Sequence, residues 1–143
     1  MKIRDILDKK GYTVATVASG NSVSAVLTVL STHNIGAVVV LSANGTVVGI
    51  ASERDVVRTL ELHGKKVLKS PVDEIMSEPV ITCTVQDSVE SVMESMTQWR
   101  VRHVPVVDDA GSLVGIVSIG DVMAAHLLDV HFEHEQLVTY LST

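Results

Sequence analysis

Two short stretches carry the side chains with the clearest chemistry. Ser52-Glu53-Arg54-Asp55 and Ser118-Ile119-Gly120-Asp121 each set a hydroxyl and a carboxylate three residues apart, just after a glycine-led apolar run. If a helix begins at the serine, this spacing lays the aspartate about one turn further along the same face. A helix start offers unpaired N–H groups and a partial positive charge, which suit a phosphate. The serine hydroxyl can donate to the same anion. A carboxylate accepts two hydrogen bonds from a vicinal diol, so the aspartate suits ribose 2′- and 3′-hydroxyls. A single Ser-x-x-Asp is more often only a helix cap. These two, however, recur in register.

The register is an internal repeat. Gly49-Ile50-Ala51-Ser52-Glu53-Arg54-Asp55-Val56 returns as Gly115-Ile116-Val117-Ser118-Ile119-Gly120-Asp121-Val122, an offset of 115 − 49 = 66. The same offset carries Thr16 to Thr82, Ser22 to Ser88, Val23 to Val89 and Gly45 to Gly111. Periodicity then supplies the elements that must hold the two motifs. In the first copy a strand is predicted over 12–17, then turn and cap residues at 19–22. A helix over 22–33 follows, with Val23, Val26, Leu27 and Leu30 at helical spacing, ended by Asn34 and Gly36. A β-branched strand spans 37–41, Asn44-Gly45 makes a hairpin turn, and 47–51 pairs back before Ser52 caps a second helix. The second copy predicts strand 80–85, helix 88–99, strand 104–107, turn 108–111, strand 113–117 and helix 119–130. Each half reads β-α-β-β-α.

The expected organisation is therefore a first repeat over 1–63, a lysine-bearing linker over 64–71, a second repeat over 72–130 and a C-terminal helical tail over 131–143. Residues 3–7 and 72–76 read as matching short helical lead-ins. Neither half has a comfortable core alone. An α/β (α+β) unit, with the halves packed about a pseudo-two-fold axis, is the predicted fold. Phe132, Leu137, Val138, Tyr140 and Leu141 give the tail an apolar side, expected to pack on its own module or on a dimer mate, or to dock an effector protein.

Composition narrows the function classes. Eleven Lys and Arg against seventeen Asp and Glu leave a net charge of −6, with a basic patch only around Lys65, Lys66 and Lys69. Duplex nucleic-acid binders show a basic face, and 3% aromatic residues are too few for single-strand stacking. The longest wholly apolar stretch, 37–41, is far below the ~20 residues of a membrane helix. The charged start Met1-Lys2-Ile3-Arg4-Asp5 opens no signal core. One cysteine, Cys83, leaves no intramolecular disulfide and suits a reducing cytoplasm. It reads as an inert buried thiol. His126, His131 and His134 read as a solvated helix end rather than a metal site. Ser118 is no nucleophile elbow, because Gly-x-Ser-x-Gly would need glycine where Ile116 stands. No glycine-rich phosphate loop is present. Met93 and Met96 read as core or dimer-face filling, and Trp99 as an interface residue or a partly buried cap.

The repeated Gly-Ile-Ala-Ser-Glu-Arg-Asp and Gly-Ile-Val-Ser-Ile-Gly-Asp, with the strand Arg102-His103-Val104-Pro105-Val106 and the lead-in Val72-Asp73-Glu74-Ile75-Met76, resemble a tandem pair of CBS domains, a Bateman module, over nearly the whole chain. The resemblance is to small stand-alone bacterial CBS-pair proteins. It implies adenosyl ligands (AMP, ADP, ATP, S-adenosylmethionine or NAD(H)), no catalysis by the pair, disk-like homodimers, and an effector on another chain. It also implies that adenine sits against the first strand of each copy, at Thr16 and Val17 or at Thr82 and Cys83. Backbone groups of Ile35-Gly36-Ala37 and Val101-Arg102-His103 would read it, with Pro105 on the same strand. Ser52 and Asp55, and Ser118 and Asp121, would hold phosphate and ribose.

The copies are not equivalent. Arg54 and Arg58 of the first are Gly120 and Ala124 in the second, whereas Arg100, Arg102 and His103 stand where the first has Asn34, Gly36 and Ala37. Arginine suits bidentate phosphate contact, so the two sites are expected to differ in phosphate number or ligand. The first copy departs from the family in having Val39 where the second has Pro105, which puts the backbone geometry of the first site in question. The reading is a cytoplasmic regulatory module sensing adenine nucleotides and signalling to another protein. A ligand-free dimerisation or interaction scaffold is the alternative. An enzyme is disfavoured, since no nucleophile, base and orienting group converge.

Overall fold

A computed structural model describes residues 1–78 and 80–142. Helix α1 (Ile3–Lys10) leads into β1 (Thr16–Ala18), α2 (Val23–His33), β2 (Ala37–Leu41), β3 (Val47–Ser52) and α3 (Glu53–His63). After 3-10 turns over Gly64–Lys69 and Val72–Glu74 come α4 (Val89–Trp99), β4 (His103–Val107), β5 (Leu113–Ser118) and α5 (Ile119–Ser142). Helices α2, α3 and α4 start where a serine hydroxyl satisfies one of the first N–H groups. Ser22 Oγ accepts from Ala25 N–H, and Ser88 Oγ from Ser91 N–H, both at 3.1 Å. Both α2 and α4 end on a left-handed residue, Asn34 (φ 51°) and Arg100 (φ 54°). Asparagine tolerates that conformation; arginine has no such preference.

In the first half β1 pairs parallel with β2, and β2 antiparallel with β3. In the second half β4 and β5 form the same antiparallel pair. The strand predicted over 80–85 is reduced to one bridge, Cys83 to Val106. The reason is a missing donor. In the first half Val39 N–H donates to the Ala15 carbonyl at 3.3 Å, one bond of that side of the ladder. The position 66 residues on is Pro105, which has no N–H to offer Ile81. The strand predicted over 12–17 is also shorter than expected. Its register sets Thr16 opposite Val39, so Tyr12 would need a partner at Ile35, where the chain is still leaving α2 through Asn34.

Two apolar cores form, and each is completed by the other half's lead-in. The first core holds Val23, Val26, Val38, Val40 and Val56, closed by Val72 and Ile75. The second holds Val89, Val92, Met96, Val104 and Val106, closed by Ile3, Ile6 and Leu7 from α1. Two glycines permit this exchange. A Cβ on Gly115 would meet the Leu7 side chain at 2.8 Å, and one on Gly49 would meet Met76. The hairpin turns meet at equivalent positions, Thr46 with Ser112, as a two-fold relation requires.

The tail differs from expectation. No break separates 119–130 from 131–142; α5 is one helix of 24 residues. Its end is not buried in either core: Phe132, Leu137, Val138, Tyr140 and Leu141 are all exposed. Thr143, the last residue of the expected tail, lies outside the described residues. Among the described residues no helix is long and apolar enough to cross a membrane.

Candidate functional site

Both Ser-x-x-Asp stretches sit where a strand becomes a helix, as expected. At the first, Ser52 caps α3 through a reciprocal pair of bonds. Asp55 N–H donates to Ser52 Oγ at 3.3 Å, and Ser52 N–H donates to Asp55 Oδ2 at 2.9 Å. The Ser52 hydroxyl donates to the same Oδ2 at 3.0 Å. Asp55 is 9% exposed, and its Oδ1 has no protein partner among the described residues. The helix start itself offers less to a phosphate than its sequence implies. Glu53 N–H is taken by the Gly36 carbonyl at 3.0 Å and Asp55 N–H by Ser52. Among the described residues, of these first three N–H groups only that of Arg54 is left open.

A cleft of about 580 Å³ opens on this helix start. Gly36, Ser52, Arg54, Asp55 and Arg58 line it from the first half, and Arg100, Val101, Arg102 and His103 from the second. The arginines that the sequence divides between two sites are thus brought to one. Arg54, Arg58, Arg100 and Arg102 are all exposed toward solvent. Arginine forks of this kind clamp phosphate oxygens. Apolar surface comes from Ile50, Val80, Ile81 and Val101, with Trp99 alongside. Val80 and Ile81 belong to the segment that Pro105 leaves unzipped. Glu53 and Glu78 add acidic groups to the lining. Burial, with the Lys10 ammonium nearby, lowers the His103 pKa, so its imidazole stays neutral near pH 7.

The other expected site residues lie elsewhere. Val17 and Cys83 point into the two cores, and burial together with nearby Asp87 pushes the Cys83 thiol up to about 12. Thr16 and Thr82 are exposed, Ile35 packs against the first core, and Ala37 and Pro105 are buried. Ser118 and Asp121 repeat the cap at the start of α5, with Ser118 N–H donating to Asp121 Oδ2 at 2.9 Å and Asp121 N–H to Ser118 Oγ at 3.2 Å. There the likeness to the first copy ends, because Lys10 Nζ of α1 bonds the same Asp121 Oδ2 at 2.6 Å. Burial pushes the Asp121 carboxyl up, but the Lys10 and Ser118 bonds outweigh it and hold the pKa below the usual range.

Sequence reasoning singled out Arg100 for its charge but missed Ile50, Glu53, Ser77, Glu78, Val80, Ile81 and Trp99 as cleft residues. Nothing in the sequence marks Ser77 and Glu78 for the cleft; they reach it behind the lead-in Val72–Glu74, which crosses to the first half. Among the described residues no cluster of three His, Cys, Asp or Glu could hold a metal ion. His131 pairs with Glu135 at 3.1 Å on the exposed end of α5.

Comparison with known proteins agrees with this fold. The CBS domain family model matches twice, over residues 3–62 and 72–127. The chain belongs to that family. A CBS-domain-containing protein from Agrobacterium tumefaciens is 41% identical with a TM-score of 0.83, covering 88% of this chain and 99% of that one. A CBS-domain protein from Pyrobaculum aerophilum, solved in complex with AMP, is 27% identical with a TM-score of 0.76, covering 85% and 89%. A CBS-domain pair solved with 5-methylthioadenosine and S-adenosyl-L-methionine is 26% identical with a TM-score of 0.74, covering 88% and 95%. The chain spans about half the length of several curated relatives it matches.

Proposed function

We propose that this CBS-domain chain is a regulatory binding module whose cleft takes an adenosyl ligand carrying phosphate, of the AMP, ADP, ATP or NAD(H) type. The observation that carries the reading is the meeting of four arginines from both repeats with a buried, capped carboxylate in one cleft. Asp55 Oδ1 accepts from the ribose hydroxyls, and Ser52 lies beside it. The arginines take the phosphates in place of the largely satisfied helix start. Ile50, Val80, Ile81 and Val101 offer the apolar surface on which a base can lie. The AMP bound by the Pyrobaculum relative, and the methylthioadenosine and S-adenosylmethionine bound by the other pair, are ligands of the same adenosyl class.

The module binds rather than catalyses in this reading. Its one thiol is buried and held protonated, and among the described residues no side chain in the cleft is placed to activate a nucleophile. Because the cleft is built from both halves, a bound nucleotide bridges them. It favours whichever arrangement of the halves it binds more tightly, and a partner protein reads the result. A second role, association, is favoured by the exposed apolar flank of α5, including Met123, Leu127, Leu137 and Leu141. A homodimer, or an effector protein on that flank, would cover it. Sedimentation of the free chain tests this, and a monomer at all concentrations counts against the homodimer.

Calorimetric titration with AMP, ADP, ATP, NADH and S-adenosylmethionine tests the main reading, each ligand also on Asp55→Asn. Micromolar binding that Asp55→Asn weakens by about ten- to a hundredfold is expected for a lost charged hydrogen bond of ~1.5–3 kcal/mol. No heat from any of the five with the folded chain would overturn the nucleotide reading and leave the association module.

A further inference from the structure

Resting on that reading, we infer that Lys10 closes the second Ser-x-x-Asp position to nucleosides, so that the chain takes one adenosyl ligand, at Asp55. The two helix starts are alike in backbone and cap. They differ in what reaches the carboxylate. Lys10 Nζ donates to Asp121 Oδ2 at 2.6 Å and to the Ile116 carbonyl at 2.9 Å. Among the described residues, the Asp55 carboxylate meets only the N–H and hydroxyl of Ser52.

The lysine is held in place rather than passing by. It is the last residue of α1, whose Ile3 and Leu7 are fully buried in the second core. Gly11, with φ 107°, stops the helix there by returning its N–H to the Leu7 carbonyl at 2.7 Å. The corresponding lead-in to the first half is only the 3-10 turn Val72–Glu74. Ser77 and Glu78 follow it to the cleft, and among the described residues no lysine bonds Asp55. Lys10 shares Asp121 Oδ2 with Ser118 N–H, and its ammonium ion already neutralises the carboxylate. A ribose diol reaching Asp121 Oδ1 therefore meets a compensated charge with an ammonium ion beside it, and gains less than at Asp55. Displacing the ion instead would leave it without its carboxylate and carbonyl partners, which is unfavourable. His103, kept neutral, offers Asp121 no alternative cation. Lys10 therefore decides how many nucleosides the chain takes and in which half.

The test is the stoichiometry of ATP and of AMP on the whole chain, by calorimetry, for wild type, Asp55→Asn, Asp121→Asn, Lys10→Met, Lys10→Gln and Lys10→Met/Asp121→Asn. Circular dichroism melting confirms which variants are folded. One ligand per chain is expected for wild type, lost in Asp55→Asn but not changed in number by Asp121→Asn. Two ligands are expected for Lys10→Met or Lys10→Gln, returning to one in Lys10→Met/Asp121→Asn. Two ligands in wild type, or one in both folded Lys10 variants, would overturn the inference while leaving a ligand at Asp55 intact. No binding by wild type or by either Lys10 variant would overturn the nucleotide reading, and the inference with it.

Discussion

The starts of α3 and α5 are two answers to one local sequence. Both follow a β-strand, both are capped by a serine, and both place an aspartate three residues on. Around α3 the surroundings are open: Asp55 is buried by its cap, and four arginines from both halves face the cleft beside it. Around α5 the corresponding carboxylate is neutralised from within by Lys10, and Gly120 and Ala124 stand where Arg54 and Arg58 stand in the first copy. A motif fixes the geometry of a cap. What a site binds is decided by the groups that other elements bring to it, and here those elements come from the opposite half of the chain.

The largest effect available to break this comparison is on the lead-ins. Leu7 is fully buried in the second core, so Leu7→Ala should cost about 2–5 kcal/mol, the usual range for such a truncation. Denaturant unfolding measures it. Hydrogen exchange should show protection falling first in β4, β5 and α4 rather than in β1, β2 and β3. Equal loss in both halves would mean that α1 is not a member of the second core alone.

Next in size is the claim that arginines of different repeats share one ligand. Arg54→Ala and Arg102→Ala should each weaken ATP binding by about tenfold or more, as a charged hydrogen bond of ~1.5–3 kcal/mol is removed. Both should weaken AMP less, since fewer phosphates remain to be held. In a double-mutant cycle the two losses should couple if they act on one phosphate chain. Independent losses on two different ligands would restore the division of the arginines between two sites.

Much of this is legible in the sequence, and the illegible part has a common cause. The 66-residue repeat yields both helix starts, their caps and the middle hairpins, because those depend on residues within a few positions of one another. It does not yield the cleft. Repeat membership assigns Arg102 and His103 to the second site, yet the cleft they line begins at Ser52. Val17 and Cys83 read as a floor for adenine, but alternation along an extended chain sends both into the cores. The tail reads as a separate short helix because the repeat ends there. Residues 128–134 contain neither glycine nor proline, so α5 has no reason to stop.

A smaller effect sharpens the same contrast at the strand that failed to form. Pro105→Val supplies the N–H that Val39 uses in the first half, and Ile81 supplies the waiting carbonyl. Restoring that bond should add about 0.5–1.5 kcal/mol to stability. Exchange of the new amide hydrogen at that position, and of its neighbours, should be slow. The same zipping draws Ile81 out of the cleft lining, so ligand affinity should fall as stability rises. A gain in stability with unchanged affinity would show that residues 80 and 81 are not part of the binding surface.

The smallest expected effect is on acid stability, and it isolates the Lys10–Asp121 pair from everything else. The folded pKa of Asp121 is lowered, so its contribution to stability is present above the unfolded carboxylate value of about 3.9. That contribution is lost as pH falls through the lower folded value. Lys10→Met removes the bond that opposes burial, so the variant should lack this contribution at neutral pH. The stability difference between wild type and variant should then be full at about pH 6 and shrink toward zero as the pH drops below about 4. Asp73 provides an internal control in the other half. Its carboxylate accepts from the Ser19 hydroxyl and from Gly20 N–H at 2.7 Å, which lower its pKa without any lysine. Its share of the acid transition should therefore be the same in both proteins. Carboxyl chemical shifts followed by NMR separate the two aspartates: the Asp121 midpoint should rise in Lys10→Met while the Asp73 midpoint stays fixed. An Asp121 midpoint that did not move would mean that the cap, rather than the lysine, sets the charge at the second helix start, and the two starts would then be electrostatically equivalent.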